Sequence, residues 1–258
     1  MSNIPALDNF SISMKSNRAI VFPAWGAEWI DRVGSCVRES QLPPYPIFLM
    51  TDAATDISAL PAGIEVIRRD CQLSGKARKT EFFPCLPEQI ETALLLDADT
   101  RVIGDISLGF EKAEQHGIAM VPAPHYSLAD FRSFGEVMLN EGVTPLGQII
   151  YNSGVIFCTP HRPDVRAVFD AALALAQKYL DREWSDQTYL SLALELQNFN
   201  PYTLSPSFNY RAFGELISGS IRIWHSYEAP PKNAALLEKG FLHRYEKGKL
   251  VKAVKVPL

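Results

Sequence analysis

Two carboxylates one residue apart, Asp97 and Asp99, close a short apolar run, Ala93 to Leu96, with only the small Ala98 between them. Such a run suits one buried strand and is too short for a helix. If the chain stays extended through Asp99, side chains two apart share a face, about 6.6 Å apart along the strand. Both acids then address one spot beyond the strand's carboxyl end, the edge at which open α/β sheets bind ligands. Two such anions repel unless a shared proton or a cation joins them. A divalent metal that carries substrate phosphates on one or two protein carboxylates meets that need. A bare Asp-x-Asp also fits two solvated acids in a turn, so residues elsewhere must decide.

Four other stretches have chemistry-bearing residues. Gly75-Lys-Ala-Arg-Lys-Thr80 puts three cations in four residues, either a solvated helix start or a Lys or Arg reaching an anionic ligand. Pro84 and Pro87 rule out a long helix there. Asn152-Ser153-Gly154 interrupts two apolar runs within 148–158; a glycine in such a pattern marks a bulge or a close backbone approach by a ligand. Ser185-Asp186-Gln187 opens a helix. N-capping and the helix dipole account for the serine and aspartate but not for Gln187. His225 ends an apolar strand, Ile221 to His225, and Lys232 follows seven residues on. After the first strand, Pro23-Ala24-Trp25 is placed to flank a base, with Trp25 either stacking or packed in the core. Asp52 either reaches a ribose or base, or caps a turn.

The elements that must position these groups alternate. Strands are expected at Ala19–Pro23, Ile47–Met50, Ile64–Ile67 and Ala93–Leu96, with a helix from Gly26 to Gln41 presenting Ile30, Val33, Gly34 and Val37. Alternation of this kind implies parallel βαβ units. A further strand is read at 117–122, then a long polar and aromatic loop from Pro122 to Gly147 (a lid or acceptor-binding region, partly helical). From Pro163 an amphipathic helix has Val165, Val168, Phe169, Ala172, Leu173, Ala176 and Leu180 on one face. The end of the chain, Lys239 to Leu258, is moderately basic and suits a β-hairpin. There is neither a GxGxxG after the first strand nor a GxxxxGKS/T, so bound phosphates would be held by metal and cationic side chains.

The chain has 258 residues, 47% hydrophobic and 21% charged, with a formal net charge of −4 and a pI of about 5.8. That size predicts a single domain over 1–258. Its balance of charge gives no general attraction to nucleic acid or an acidic membrane. No run approaches a transmembrane length of about 18 apolar residues. The first 17 residues lack an apolar signal core, and Cys36, Cys71, Cys85 and Cys158 are scattered, so a cytoplasmic protein with reduced thiols is expected.

Taken in order, Leu-Leu-Leu-Asp-Ala-Asp-Thr with Gly104-Asp105, Tyr-Asn-Ser-Gly-Val, Ser-Asp-Gln, and His225 with Lys232 are far more specific than any one of them. In this combination the sequence resembles retaining glycosyltransferases of the GT-A fold, family 8, the group of glycogenin and the lipopolysaccharide galactosyltransferases. The resemblance covers roughly residues 19–233. It implies an α/β fold with a Rossmann-like, mostly parallel central sheet flanked by helices. The nucleotide-binding half would span about 17–105, the acceptor and catalytic half 106–235, and a basic tail 236–258. It further implies a nucleoside-diphosphate sugar donor, usually UDP-linked, Mn²⁺ (or Mg²⁺), and a carbohydrate or other hydroxyl acceptor. Asp97, Asp99 and His225 would be the metal ligands. Lys79, Lys232, Ala24, Trp25, Asp97 and Ala98 would contact the donor, and Asn152, Asp186 and Gln187 would line the reacting sugar. Lys232 departs from the family's pattern: the usual glycine is absent, the spacing is one residue longer, and Asn233 replaces Pro-Trp.

Three alternatives bear on the same residues. A haloacid-dehalogenase-like Mg²⁺ phosphohydrolase also ends a strand in Asp-x-Asp, but it expects Thr or Val where Arg101 stands and places the motif near the N-terminus. A nucleotide-sugar-binding protein without transfer activity would keep all the candidate groups. An inverting transferase would need a base near the acceptor, His125 or Asp130. The basic tail also allows peripheral membrane contact.

Overall fold

The computed structural model describes residues 17–180, 185–211, 213–231, 241–246 and 249–255. The chain alternates from the start: β1 (Arg18–Pro23), α1 (Ala27–Glu39), β2 (Ile47–Asp52), β3 (Ile64–Arg69), two short 3-10 turns (Gly75–Glu81 and Phe83–Cys85), β4 (Thr92–Leu96) and β5 (Thr100–Val102). Then follow α2 (Ser107–His116), β6 (Ile118–Ser127), α3 (Gly135–Asn140), β7 (Ile149–Cys158), α4 (Pro163–Lys178), α5 (Asp186–Leu196) and β8 (Tyr202–Thr203). The last strands are β9 (Tyr210–Arg211), β10 (Phe213–Ser218), β11 (Ile223–His225), β12 (Phe241–Glu246) and β13 (Lys249–Lys255).

The central sheet has the order β3-β2-β1-β4-β7-β6-β8. The β1–β2, β1–β4, β2–β3 and β6–β8 pairs are parallel, whereas β7 runs antiparallel to both β4 and β6. The sheet is therefore mostly parallel, as expected. Every residue of β4 is buried, and in β1 only Arg18 is not. Helices cover both faces, which is why these strands read as continuous apolar runs and not as alternating ones. Alternate residues feed two cores. Val21, Leu95, Met120 and Ile156 pack against α4 and α5, while Ile20, Phe22, Leu94 and Phe157 pack against α1 and α2. After β1 the chain steps outward to β2 and β3, then returns to lay β4 on the other side of β1. That reversal makes the β1/β4 crevice the topological switch point, the usual ligand position in such sheets.

Two small sheets complete the chain. β5 and β9 flank β11, and β12 and β13 form the expected hairpin, paired to β10. Two expectations change. The stretch from Pro122 to Gly147 is not mainly loop: β6 continues to Ser127, and a 3-10 turn and α3 follow. Proline is no obstacle within β6, because the ladder to β7 is already irregular between Met120 and Ser127. Leu180 lies past the end of α4 and is exposed, so it leaves the apolar face that Val165 to Ala176 form.

One close approach in the core is testable. A Cβ on Gly109 of α2 would lie 2.4 Å from the ring of Phe157, which is fully buried and in edge contact with Phe110 and Phe208. Gly109→Ala is expected to destabilise the protein by about 1–3 kcal/mol through overpacking, read as a lower urea midpoint.

Candidate active site

Strand β4 ends at Leu96, and the backbone then turns: the Thr100 amide and hydroxyl both donate to the Asp97 carbonyl, at 3.2 and 2.7 Å. Asp97 and Asp99 therefore meet through a tight turn and not through an extended strand, contrary to the expected pleat. The reason is Thr100, whose side chain caps the carbonyl that a continuing strand would have paired elsewhere. The Asp97 amide donates to the Gly154 carbonyl of β7 at 2.9 Å, which fixes the start of the turn.

His225 arrives at this turn by strand register. β11 lies antiparallel to β5 with His225 opposite Thr100, and the Ser226 amide donates to the Asp99 carbonyl at 3.0 Å. The ring Nε2 is 3.3 Å from Asp99 Oδ1. One ligand atom each of Asp97, Asp99 and His225 lies within 4.8 Å of the others. Gly154 makes this possible, since a Cβ there would sit 2.2 Å from His225 Cε1 and 2.9 Å from Asp97 Oδ2. The glycine of Asn152-Ser153-Gly154 thus serves a close side-chain approach. The bulge reading also holds, because the β6–β7 ladder skips residues 152–155.

Lys79 reaches in from the 3-10 turn Gly75–Glu81 and is 4% exposed. Its Nζ donates to Asp97 Oδ1 at 2.5 Å and to the Ser153 carbonyl at 2.6 Å, and it lies 3.7 Å from Asp186 Oδ2. Burial alone would lower the lysine's pKa, but the charges of Asp97 and Asp186 outweigh it and the net shift is upward. Of the cations in that stretch, Arg78 instead pairs with Asp52 at 2.5 Å. Asp52 also accepts from the Thr55 amide and hydroxyl, the turn-capping contacts expected of it. Ser185 is the N-cap of α5, accepting from the Gln187 amide, as expected. Asp186 is more than a dipole partner: it is buried, its Oδ2 has no hydrogen-bond partner, and burial raises its pKa. Asp99 moves the other way. Desolvation opposes its charge, yet the His225 hydrogen bond and charge, with Arg211, hold it at about 2.

These groups line one cleft of about 310 Å³ at the carboxyl ends of β1 and β4, within the size range of small-ligand sites. Pro23, Ala24, Trp25, Ala98, Asn152, Ser153 and Gln187 share its wall. Trp25 is both core and cleft: it packs on Phe82 (centroids 5.8 Å apart) and under Arg78 while facing the opening. Lys232 lies outside the described residues, as does the side chain of His125. Asp130 is exposed, bonded to Ser127, and does not line the cleft. Lys76, one of the three cations of the 75–80 stretch, also lines the cleft, and three lining residues had no role in the sequence reading: Trp29, Arg211 and Tyr227. Arg32 lies over both the Trp29 and Tyr227 rings, at 5.4 and 5.0 Å. Of these, Arg211 could have been suspected, from its place at the end of a short polar-aromatic run, residues 207–211.

The donor set fits a divalent cation. Two carboxylates and an imidazole suit Mn²⁺ or Mg²⁺ better than a thiophilic metal. Lys79 occupies Asp97 Oδ1, whereas Oδ2 lies beside Gly154, as the His225 ring does.

Similar architecture occurs in solved glycosyltransferases. Galactosyltransferase LgtC, in complex with donor and acceptor sugar analogues, superposes with a TM-score of 0.58 at 13% identity, covering 81% of this chain and 86% of that one. Mouse xyloside xylosyltransferase 1 in its apo form gives 0.51 at 14% identity, covering 81% and 96%. The glycosyltransferase GlyE of Streptococcus pneumoniae gives 0.50 at 17% identity, covering 76% of this chain and 47% of that one. No protein-family model and no curated protein matches the sequence. The likeness is one of fold: the chain has the GT-A architecture of these enzymes.

Lys79→Met would leave Asp97 and Asp186 without their shared counter-charge. We expect a loss of about 3 kcal/mol or more in unfolding free energy. Asp186→Asn in the same chain should restore part of it, because the two sites are coupled. Strictly additive urea-denaturation energies for the single and double variants would mean that the lysine is held by something else.

Proposed function

We propose that this protein is a glycosyltransferase that moves a sugar from a nucleoside-diphosphate donor, UDP-linked, to an acceptor hydroxyl, using Mn²⁺ or Mg²⁺ and retaining the anomeric configuration. The observation that carries the reading is the convergence of Asp97, Asp99 and His225 at the switch point of a GT-A sheet, beside a buried Lys79–Asp186 pair. LgtC, of the same architecture, has been captured with donor and acceptor sugar analogues.

Each residue then has a physical task. Asp97, Asp99 and His225 hold the metal, which, when bound, supplies Lewis-acid stabilisation of the diphosphate leaving group. Lys79, already cationic and buried, adds fixed positive charge without reorganising at the moment of reaction. Lys76 and Arg211, also in the cleft, extend that field along an anionic ligand. Trp25, with Ala24 beside it, offers a face to the nucleobase. Asn152 and Asp186 present polar atoms to the sugar hydroxyls.

Retention requires either two inversions or attack on the face the leaving group departs from. Gln187 lines the cleft but carries a neutral amide, a poor nucleophile. Asp186 is held against Lys79, and that pairing reduces its nucleophilicity. Attack on the departing side, with the leaving phosphate taking the acceptor's proton, needs neither residue as a nucleophile and is the mechanism we assign. The phosphohydrolase alternative gains no support, since Asp97 follows the fourth strand of a GT-A sheet. A binding protein without transfer keeps the same cleft and is separated by turnover.

Thermal unfolding tests the reading. With Mn²⁺ present, saturating UDP should raise the melting temperature by roughly 5–10 °C, and with the metal chelated it should not. Asp99→Ala should abolish the metal-dependent shift. UDP stabilisation that is equal with and without metal would overturn the assignment. A screen of UDP-sugars for metal-dependent UDP release then separates an enzyme from a binding protein, and the anomer of the product tests retention.

A further inference from the structure

We propose that Asp186 is a positioning residue for the metal site: it is a second station for Lys79, which moves from Asp97 to Asp186 when a divalent cation is taken up. The starting point is an oxygen that nothing satisfies. Asp186 is 5% exposed and lines the cleft, yet its Oδ2 accepts no hydrogen bond. Buried polar atoms nearly always have a partner, so one left open needs a reason. The other oxygen, Oδ1, accepts from the Ser185 hydroxyl at 3.3 Å. As the first residue of α5, Asp186 also stands where the helix dipole favours a carboxylate. Lys79 Nζ lies 3.7 Å from the open Oδ2, close by but beyond hydrogen-bond distance.

The lysine has a hydrogen to spare for that oxygen. An ammonium carries three, and two are used, on Asp97 Oδ1 at 2.5 Å and on the Ser153 carbonyl at 2.6 Å. In this arrangement Lys79 holds a carboxylate that the metal reading also needs. An ammonium and a divalent ion on one carboxylate repel, and a buried, weakly polar setting strengthens the repulsion. Pivoting on the Ser153 carbonyl, Nζ has to advance only about 1 Å to reach charge-assisted hydrogen-bond distance of Asp186 Oδ2. The flexible four-carbon stem of a lysine permits a shift of that size. The exchange clears Asp97 Oδ1, satisfies Asp186 Oδ2 and keeps Lys79 beside a carboxylate in both states. It belongs to loading and precedes any reaction. The inference rests on the metal-site reading above, and it adds that a residue outside the three ligands sets the affinity of the site.

Crystal structures of the full-length chain with and without Mn²⁺ alone, the ion located by its anomalous signal, read the exchange directly. With Mn²⁺ bound, Lys79 Nζ is expected to have left Asp97 Oδ1 for Asp186 Oδ2 while keeping the Ser153 carbonyl. In solution, Asp186→Asn should lower the Mn²⁺ affinity, read from the free Mn²⁺ resonance signal, by on the order of 10–100-fold. Loss of a nearby negative charge would weaken cation binding by itself, so the same substitution is also made in Lys79→Met. The exchange requires its cost to be smaller there, because no lysine remains to be rehoused. A cost as large or larger without the lysine overturns the proposal. Bound Mn²⁺ with Lys79 still on Asp97 Oδ1 overturns it too, and leaves the metal reading intact. If Lys79→Met does not fold, the two crystal structures decide alone. A wild type that takes up no Mn²⁺ at Asp97, Asp99 and His225 overturns both the proposal and the metal reading.

Discussion

Three carboxylates share one cleft in this protein, and the rest of the structure around it is arranged to make that tolerable. Asp97, Asp99 and Asp186 are each at least partly withdrawn from water, where like charges repel far more strongly than in bulk solvent. Lys79 answers two of them, and that explains why a lysine is buried at all: with two anions in reach, its charged form survives the loss of hydration. Asp99 is answered separately, by His225 and Arg211. The two arrangements come from opposite ends of the chain, one from a 3-10 turn after β3 and the other from strands β9 and β11.

What brings these ends together is β7, and within it Gly154. Its amide orients Asn152, its carbonyl receives the Asp97 amide, and its missing Cβ admits both the His225 ring and the Asp97 carboxylate. A residue with any side chain would satisfy the first two requirements and fail the third. The break in the β6–β7 ladder beside it frees residues 152–155 from pairing on that side. The local weakness of the sheet is the condition for the site.

Much of this was legible in the sequence, and the rest was not for identifiable reasons. The apolar runs of β1 and β4 read directly as strands, and the amphipathic spacing of α4 named every residue the helix buries except Leu175, taking the half-buried Leu173 in its place. The Asp97–Asp99 pair was found, but its geometry was misjudged, because a turn capped by Thr100 and a strand carry the same residues. That His225 meets Asp99 depends on the register between β5 and β11, a pairing between distant segments that spacing alone does not encode. Only the ordered motif set pointed to it. Lys79 could not be told from Lys76 and Arg78 as a linear pattern: one turn of the 3-10 helix sends Lys79 inward, Arg78 to Asp52 and Lys76 toward the opening. Asn209, which bonds Asn152 Oδ1 and His225 Nδ1 at 2.9 and 2.7 Å, carried no signal, since a buried asparagine between aromatic residues looks like any other until its hydrogen bonds are traced.

The charge balance of the cleft has one more consequence. Its lining carries Asp97, Asp99 and Asp186 against Lys76, Lys79 and Arg211, three formal charges of each sign beside His225. Charges so nearly balanced give the cleft little electrostatic reason to hold a doubly negative diphosphate by itself. Its charges are not evenly paired, however: Lys79 bonds Asp97 Oδ1, whereas Asp97 Oδ2 lies beside Gly154, as the His225 ring does, and Asp99 lies against that ring. On the proposed reading, a divalent ion taken up by these acids would turn the whole cleft positive, and the affinity for the anion would rise with it. Linkage would make the effect reciprocal: whatever factor the metal adds to donor binding, the donor adds to metal binding. Metal and donor would then be held tightly only together, and loss of the diphosphate after transfer would loosen the metal as well.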